Sequence, residues 1–224
     1  MSWDSTWENV FTKQEWGKYP PEELIRFIAK NFYNLDRKNV KILEVGCGPG
    51  ANIWYISREG FSAYGIDASP TAIKKASKRL ADENLCADLK IGDIIKLPYE
   101  NGYFDAVIDN ECIYCNSNND SIKILGEIRR VLKNGGLFYS RTFTDEMESA
   151  CNGKKIEKYE YSNVSTGIFA EKGYVRLTSR DCIDKLYSSI FKINSIDRLE
   201  YTVNNGTVKI SEWVIVCRKE IHND

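Results

Sequence analysis

Histidine is nearly missing from this chain: His222, almost at the C-terminus, is the one histidine in 224 residues. The side chain that most readily exchanges protons near neutrality is therefore unavailable to the rest of the molecule, for catalysis or for a metal. An excess of one charge is also lacking. The net charge is −1 and no block of Lys and Arg stands out, which argues against an electrostatic grip on nucleic acid. No apolar run approaches the length of a membrane span. Repeats, low-complexity tracts and interdomain linkers are missing too. The opening Met1-Ser2-Trp3-Asp4 is polar and acidic, unlike an export leader. Seven cysteines, an odd count, are expected to be reduced and mostly buried, and the protein cytoplasmic. Cys112 and Cys115 form a Cys-x-x-Cys, but no second pair accompanies them. Two packed thiols is the better reading of that pair than a metal or redox centre.

What is there is organised around Lys41 to Gly50. Ile42, Leu43 and Val45 read as a buried parallel strand. Gly46-Cys47-Gly48-Pro49-Gly50 follows, and then a helical pattern from Ala51 to Arg58. A strand, a glycine turn and a helix N-terminus make a nucleotide-type site. The spacing is Gly-x-Gly-x-Gly rather than the dinucleotide Gly-x-Gly-x-x-Gly, and Glu44 precedes it. A carboxylate there suits a ligand with a cationic head better than a pyrophosphate. Phe61 to Ile66 reads as the next strand and ends at Asp67, which can accept from both ribose hydroxyls.

The run Ile42-Leu43-Glu44-Val45-Gly46-Cys47-Gly48-Pro49-Gly50, with Asp67 at the next strand end, resembles the class I S-adenosylmethionine-dependent methyltransferases. The resemblance covers about residues 40 to 218. It implies an α/β fold: a doubly wound, mostly parallel seven-stranded sheet with helices on both faces, ending in an antiparallel hairpin. It implies S-adenosyl-L-methionine as cofactor, held at Glu44, Gly46, Cys47, Gly48, Gly50, Asp67 and Ala68. An acid at the third strand end bonds the adenine amino group in this family and the next residue packs on the ring; Asp93 and Ile94 match. The bland alternative for Asp93 is a turn-forming aspartate.

One domain over residues 1–224 is expected. Residues 1–39 form an N-terminal lid and helix, 40–143 the cofactor-binding half, 144–177 an insertion, and 178–218 a helix and hairpin. Trp3, Trp7 and Trp16 are costly to leave in water, so residues 1–19 fold back on the domain. They either dock on its surface or close over the cofactor and acceptor. The stretch Trp16 to Leu24 resembles the entry segment of some small-molecule methyltransferases, which covers the methionine end; Trp16 and Tyr19 are candidates to face the sulfonium. Prolines 20 and 21 open a helix with Leu24, Ile25, Phe27, Ile28 and Phe32 on its apolar face. Further helices are expected from Ser69, over 120–132 with a glycine stop at Gly135-Gly136, and over 178–190. Strands are expected at 87–91, 104–108 and 137–143, with Asn204-Asn205-Gly206 turning a hairpin.

The expected activity is methyl transfer to an oxygen or nitrogen of a small-molecule acceptor, one that can be anionic. The motifs for amino methylation of nucleic-acid bases and for cytosine C5 chemistry are missing. Ligands of open α/β sheets lie beyond the strand ends. Glu111 and Asp109 are the candidate bases there, with Asp109 also a candidate cofactor contact. Tyr114, Arg141 and Arg176 are candidate acceptor contacts; the arginines face an anion or are surface charges. Two rivals stand beside this: a non-catalytic cofactor-binding partner or sensor, and a nicotinamide oxidoreductase, disfavoured by the glycine spacing. No nucleic-acid or membrane partner is expected, and the oligomeric state is not set by anything in the sequence.

Overall fold

A computed structural model of the chain describes residues 3–147 and 152–220. His222 therefore lies outside the described residues. The elements in order are α1 (Thr6–Lys13), α2 (Glu22–Phe32), β1 (Lys41–Val45), α3 (Ala51–Arg58), β2 (Ser62–Asp67), α4 (Pro70–Asp82), β3 (Asp88–Ile91), β4 (Phe104–Asn110), α5 (Asn118–Val131), β5 (Leu132–Phe143), β6 (Lys154–Glu157), β7 (Glu160–Ser162), β8 (Val175–Arg176), α6 (Arg180–Tyr187), β9 (Lys192–Val203) and β10 (Val208–Arg218).

Seven strands form one sheet in the order β3-β2-β1-β4-β5-β10-β9. The first five run parallel; β10 is antiparallel to both β5 and β9. The inner strands β1 and β4 are mostly apolar along their middles because helices cover both faces. Alternation along them divides the core. Leu43, Val45 and Val107 pack with α5 and α6 residues such as Ile124, Ile128 and Ile183. Ile42, Ala106 and Ile108 pack on the other face with Phe27, Ile28 and Ile53. Among the described residues no helix is long and apolar enough to cross a membrane.

Several boundaries differ from expectation for local reasons. Pro21 is the N-cap of α2 rather than its first turn. Helix α5 starts earlier, because Ser117 caps it by accepting from the Asp120 amide, and ends at Val131. Its stop is not a glycine cap: Leu132 is already extended, and β5 begins there. Gly135 and Gly136 instead accommodate an irregularity in β5, where a Cβ on Gly136 would sit 2.9 Å from the Lys133 carbonyl. Helix α6 is shorter than expected, capped by Ser179. The N-terminal segment contains a true helix, α1, packed on α4. The insertion between Phe143 and Thr178 carries a small antiparallel sheet, β6-β7-β8.

Candidate active site

The carboxyl ends of β1, β2 and β4 converge on one cavity of about 380 Å³. At one end stands the glycine turn. The Gly46 and Cys47 amides donate to the Ile66 carbonyl at 2.8 and 3.1 Å, tying the turn to β2. Gly46 has φ +64°, and a Cβ there would lie 2.6 Å from the Cβ of Cys112. Glycine is thus required by the close approach of the segment after β4. Gly50 meets a similar constraint: its Cβ would lie 2.8 Å from Ala76 in α4. Gly46, Cys47 and Gly48 line the cavity, whereas Gly50 does not; it serves the packing of α3 on α4.

Asp67 accepts from the Gly48 amide at 2.9 Å and from the Ser69 amide at 2.8 Å, one bond to each oxygen. Each oxygen keeps a lone pair for a hydroxyl. Burial pushes the Asp67 carboxyl upward, partly offset by those amides. Glu44 is 3% exposed, with Oε1 accepting from Asn52 Nδ2 at 2.6 Å. Burial, with a smaller push from Asp67 and Asp109, raises its pKa to about 8. Among the described residues, Glu44 Oε2 and Asn52 Oδ1 are buried without a hydrogen-bond partner, and both side chains line the cavity. Two orphaned acceptors at a negative site suit the ammonium group of an amino-acid ligand. Ala68, Asp93 and Ile94 also line this end. Asp93 Oδ1 accepts from the Ile95 amide at 3.1 Å, so it shapes the turn and faces the cavity at once.

The opposite end is built around Glu111. Its backbone sits at φ +61°, uncommon for a residue with a side chain. Asp109 holds it there. One Asp109 oxygen accepts from the Cys112 and Ile113 amides at 2.9 and 3.0 Å, and the other accepts from Ser140 Oγ at 2.6 Å. Asp109 is fully buried and does not line the cavity. The structure therefore separates the two candidate bases: Asp109 braces the turn, and Glu111 alone faces the cavity. The same placement keeps Asp109 from the cofactor end. Glu111 Oε1 lies 3.3 Å from Arg141 Nε, and Arg141 is also paired with Glu212. Glu111 keeps 30% of its side-chain surface exposed. Desolvation nevertheless outweighs Arg141, and with Glu212 nearby its pKa rises to about 8.

The other candidates divide. Tyr114 lines the cavity, its ring edge-on to Phe143 at 5.0 Å. Arg141 does not itself line the cavity; it is paired with Glu111 and Glu212, which do. Arg176 does not line it; its guanidinium donates to the Asn116 carbonyl, Ser121 Oγ and Thr178 Oγ1 at 3.1–3.4 Å. Three of its five N–H donors brace Asn116, Ser121 and Thr178 from outside the cavity, which removes it as an acceptor contact.

The tryptophan-rich segment closes the cavity from above. Trp3, Trp7, Phe11 and Trp16 line it. Trp7, Phe11 and Trp16 touch one another at centroid distances of 5.4–5.8 Å. Glu8 latches α1 to the start of α4, accepting from Ser69 Oγ and Thr71 Oγ1. Those hydroxyls hold its carboxyl below the usual range. Tyr19 departs from expectation: it is 72% exposed, packs edge-on to Trp54 at 5.5 Å, and does not line the cavity.

The lining residues that the sequence did not single out include Asn52, Phe11, Lys172 and Glu212. Asn52 had a usable signal, a polar residue in the first turn after the glycine motif. The others carry none, since Lys172 lies in the insertion and Glu212 in the terminal hairpin. Cys112 and Cys115 are free thiols, pushed up by burial. Among the described residues no cluster of three His, Cys, Asp or Glu is placed to hold a metal ion.

Comparison with known proteins agrees with this geometry. Residues 42–136 match the methyltransferase domain family model. Tocopherol O-methyltransferase of Arabidopsis thaliana is 32% identical over 118 residues, 51% of this chain and 33% of that protein. Norajmaline N-methyltransferase of Rauvolfia serpentina is 32% identical over 117 residues, 51% of this chain and 39% of that protein. The match thus spans only about a third of the length of these curated relatives. A crystal structure of an S-adenosylmethionine-dependent methyltransferase from Methanosarcina mazei superposes with TM-score 0.73 at 22% identity, covering 87% of this chain and 98% of that one, a likeness of fold. Motif, sheet order and matched domain agree: residues 42–136 carry a methyltransferase domain, and its motif and fold are those of the class I S-adenosylmethionine-dependent methyltransferases, whose cofactor is S-adenosylmethionine.

Proposed function

We propose that this chain is an enzyme that moves the methyl group of S-adenosylmethionine to an oxygen or nitrogen of a small-molecule acceptor. The observation that carries this is a single cavity with orphaned acceptors on Glu44 and Asn52 at one end and Glu111 at the other. Glu44 and Asn52 would hold the cofactor's ammonium group, Asp67 its ribose, and Asp93 and Ile94 its base. When bound, the cofactor supplies an electrophilic methyl on a sulfonium. Glu111 takes the acceptor's proton, and its pKa of about 8 makes transfer rise with pH through that value. Trp7, Phe11 and Trp16 exclude water, and the fixed walls orient the acceptor.

A cavity of about 380 Å³ suits a small molecule. An anionic acceptor loses its support, because Arg176 is engaged elsewhere and Arg141 already faces two carboxylates. Calorimetry tests the cofactor: S-adenosylhomocysteine should bind and NAD should not. Binding of NAD in its place would favour the oxidoreductase. Formation of S-adenosylhomocysteine with a panel of alcohols and amines then tests catalysis; tight binding with no turnover on any of them would favour a sensor.

A further inference from the structure

Resting on the methyl-transfer reading, we propose that the acceptor is an amine that enters as an ammonium ion and docks on the Glu111–Glu212 carboxylate pair. Glu111 comes from the turn after β4 and Glu212 from β10, and both line the cavity. They share one guanidinium, Arg141 of β5, so with both ionised the trio carries one surplus negative charge. Asp4, which accepts from the Tyr174 amide two residues after Lys172, adds a third acid to the lining. Lys172, a lining cation over the Trp16 ring at 5.2 Å, interacts with Glu111, which opposes the lowering of its pKa by burial; Glu111, Glu212 and Asp4 then face Arg141 and Lys172, and one negative charge is still in surplus. The phenols near Glu111, those of Tyr114, Tyr139 and Tyr201, are pushed up by burial and stay neutral.

The rest of the wall points the same way. Trp7, Tyr114, Phe143, Phe169 and Tyr201 line this cavity with rings. Ring faces attract a cation and offer an anion nothing. A carboxylate or phosphate would meet both the rings and the acids. An alcohol brings no charge, so Glu111 keeps its proton beside it and is not free to act as the base. Glu111 meets this shortfall in the free protein by holding a proton, which fits its raised pKa. An ammonium ion completes the set, three carboxylates with three cations, and displaces that proton. Transfer then balances simply. The docked ammonium gives one proton to Glu111, its nitrogen lone pair forms the bond to the methyl carbon, and the carbon–sulfur pair stays on sulfur as a neutral thioether.

The test uses the full chain loaded with S-adenosylhomocysteine and three matched probes: phenethylamine, 2-phenylethanol and phenylacetate. Calorimetry at pH 7 should find the amine bound about tenfold more tightly than either other probe. In buffers of different ionisation enthalpy, amine binding should release close to one proton and alcohol binding none. Glu212→Gln should abolish the preference. Because Glu212 is buried, Glu111→Gln provides a second variant at a more exposed position, with the same expectation. Equal binding of the three probes, no binding of any, or preference for the alcohol or acid overturns the amine assignment and leaves the cofactor reading intact. Failure to bind S-adenosylhomocysteine overturns both.

Discussion

The two ends of the cavity are built in different ways. The cofactor end comes from three short stretches, residues 44–52, 67–68 and 93–94, each at or just beyond the end of a parallel strand. Its main tools are backbone amides, glycines and buried oxygens. The acceptor end is assembled from the N-terminal helix, the turn after β4, the segment between β5 and α6, and the terminal hairpin. It is a wall of rings around a charged trio, with its own core in which Tyr114, Phe143, Phe169 and Ile210 pack together. Holding a fixed cofactor takes fixed main-chain geometry, whereas shaping a pocket takes side chains, which can arrive from any direction.

That contrast can be broken most forcefully at Gly46. Gly46→Ala drives a Cβ into Cys112 and should cost about 3 kcal/mol in urea denaturation. Gly48→Ala, whose Cβ would rest 3.5 Å from Phe11, should cost about 1 kcal/mol for its positive φ alone. Equal costs would mean that the close approach of the two segments is not what requires glycine.

Removing residues 1–15 tests the acceptor end separately. The shortened protein should fold, bind S-adenosylhomocysteine more weakly, and transfer methyl about a hundredfold more slowly, because Trp7 and Phe11 no longer exclude water or fix the acceptor. Normal turnover would reduce the segment to surface docking. Asp67→Ala should weaken S-adenosylhomocysteine binding by about 1–3 kcal/mol, seen by calorimetry, through loss of charge-assisted bonds. Unchanged affinity in a folded variant would remove Asp67 from the site.

The pH dependence of stability probes both ends together. Glu44 and Glu111 have folded pKa values of about 8 against 4.5 for the ordinary carboxyl. Between those values the folded state binds more protons than the unfolded chain. Stability of the free protein should therefore be fully supported below about pH 4.5 and decline toward pH 8, by about 1.4 kcal/mol per pH unit for each group. Glu44→Gln should flatten the slope in urea titrations, and an unchanged slope would discount Glu44. The smallest effect is expected at Tyr19: Tyr19→Ala should shift stability by less than about 0.5 kcal/mol and leave cofactor affinity unchanged.

Much of the fold was readable before any coordinates. The alternation of apolar strands and amphipathic helices, the cap at Ser69 and the Asn-Asn-Gly turn are local signals, and each corresponds to an observed element. The helix ends at Pro21 and Val131 were misjudged, because proline and glycine also serve turns and strand irregularities. At the site, Glu44, Gly46, Gly48 and Asp67 followed from their motif. Asp109 and Glu111 looked equivalent in the sequence, being two residues apart, until the turn buried one and faced the other into the cavity. Arg176 likewise looked available for an anion until its donors were found engaged with Asn116, Ser121 and Thr178.

The strand–turn–helix cradle and its choice of a cationic ligand were written in consecutive residues, because Glu44, the glycines and Asn52 fall within eight positions of one another along the chain. The pairing of Glu111 with Arg141 and Glu212, the closure by Trp7 and Phe11, and the exclusion of Tyr19 were not. Those contacts join segments separated by tens of residues or more, and only the packing of the folded chain decides which side chains share a desolvated space.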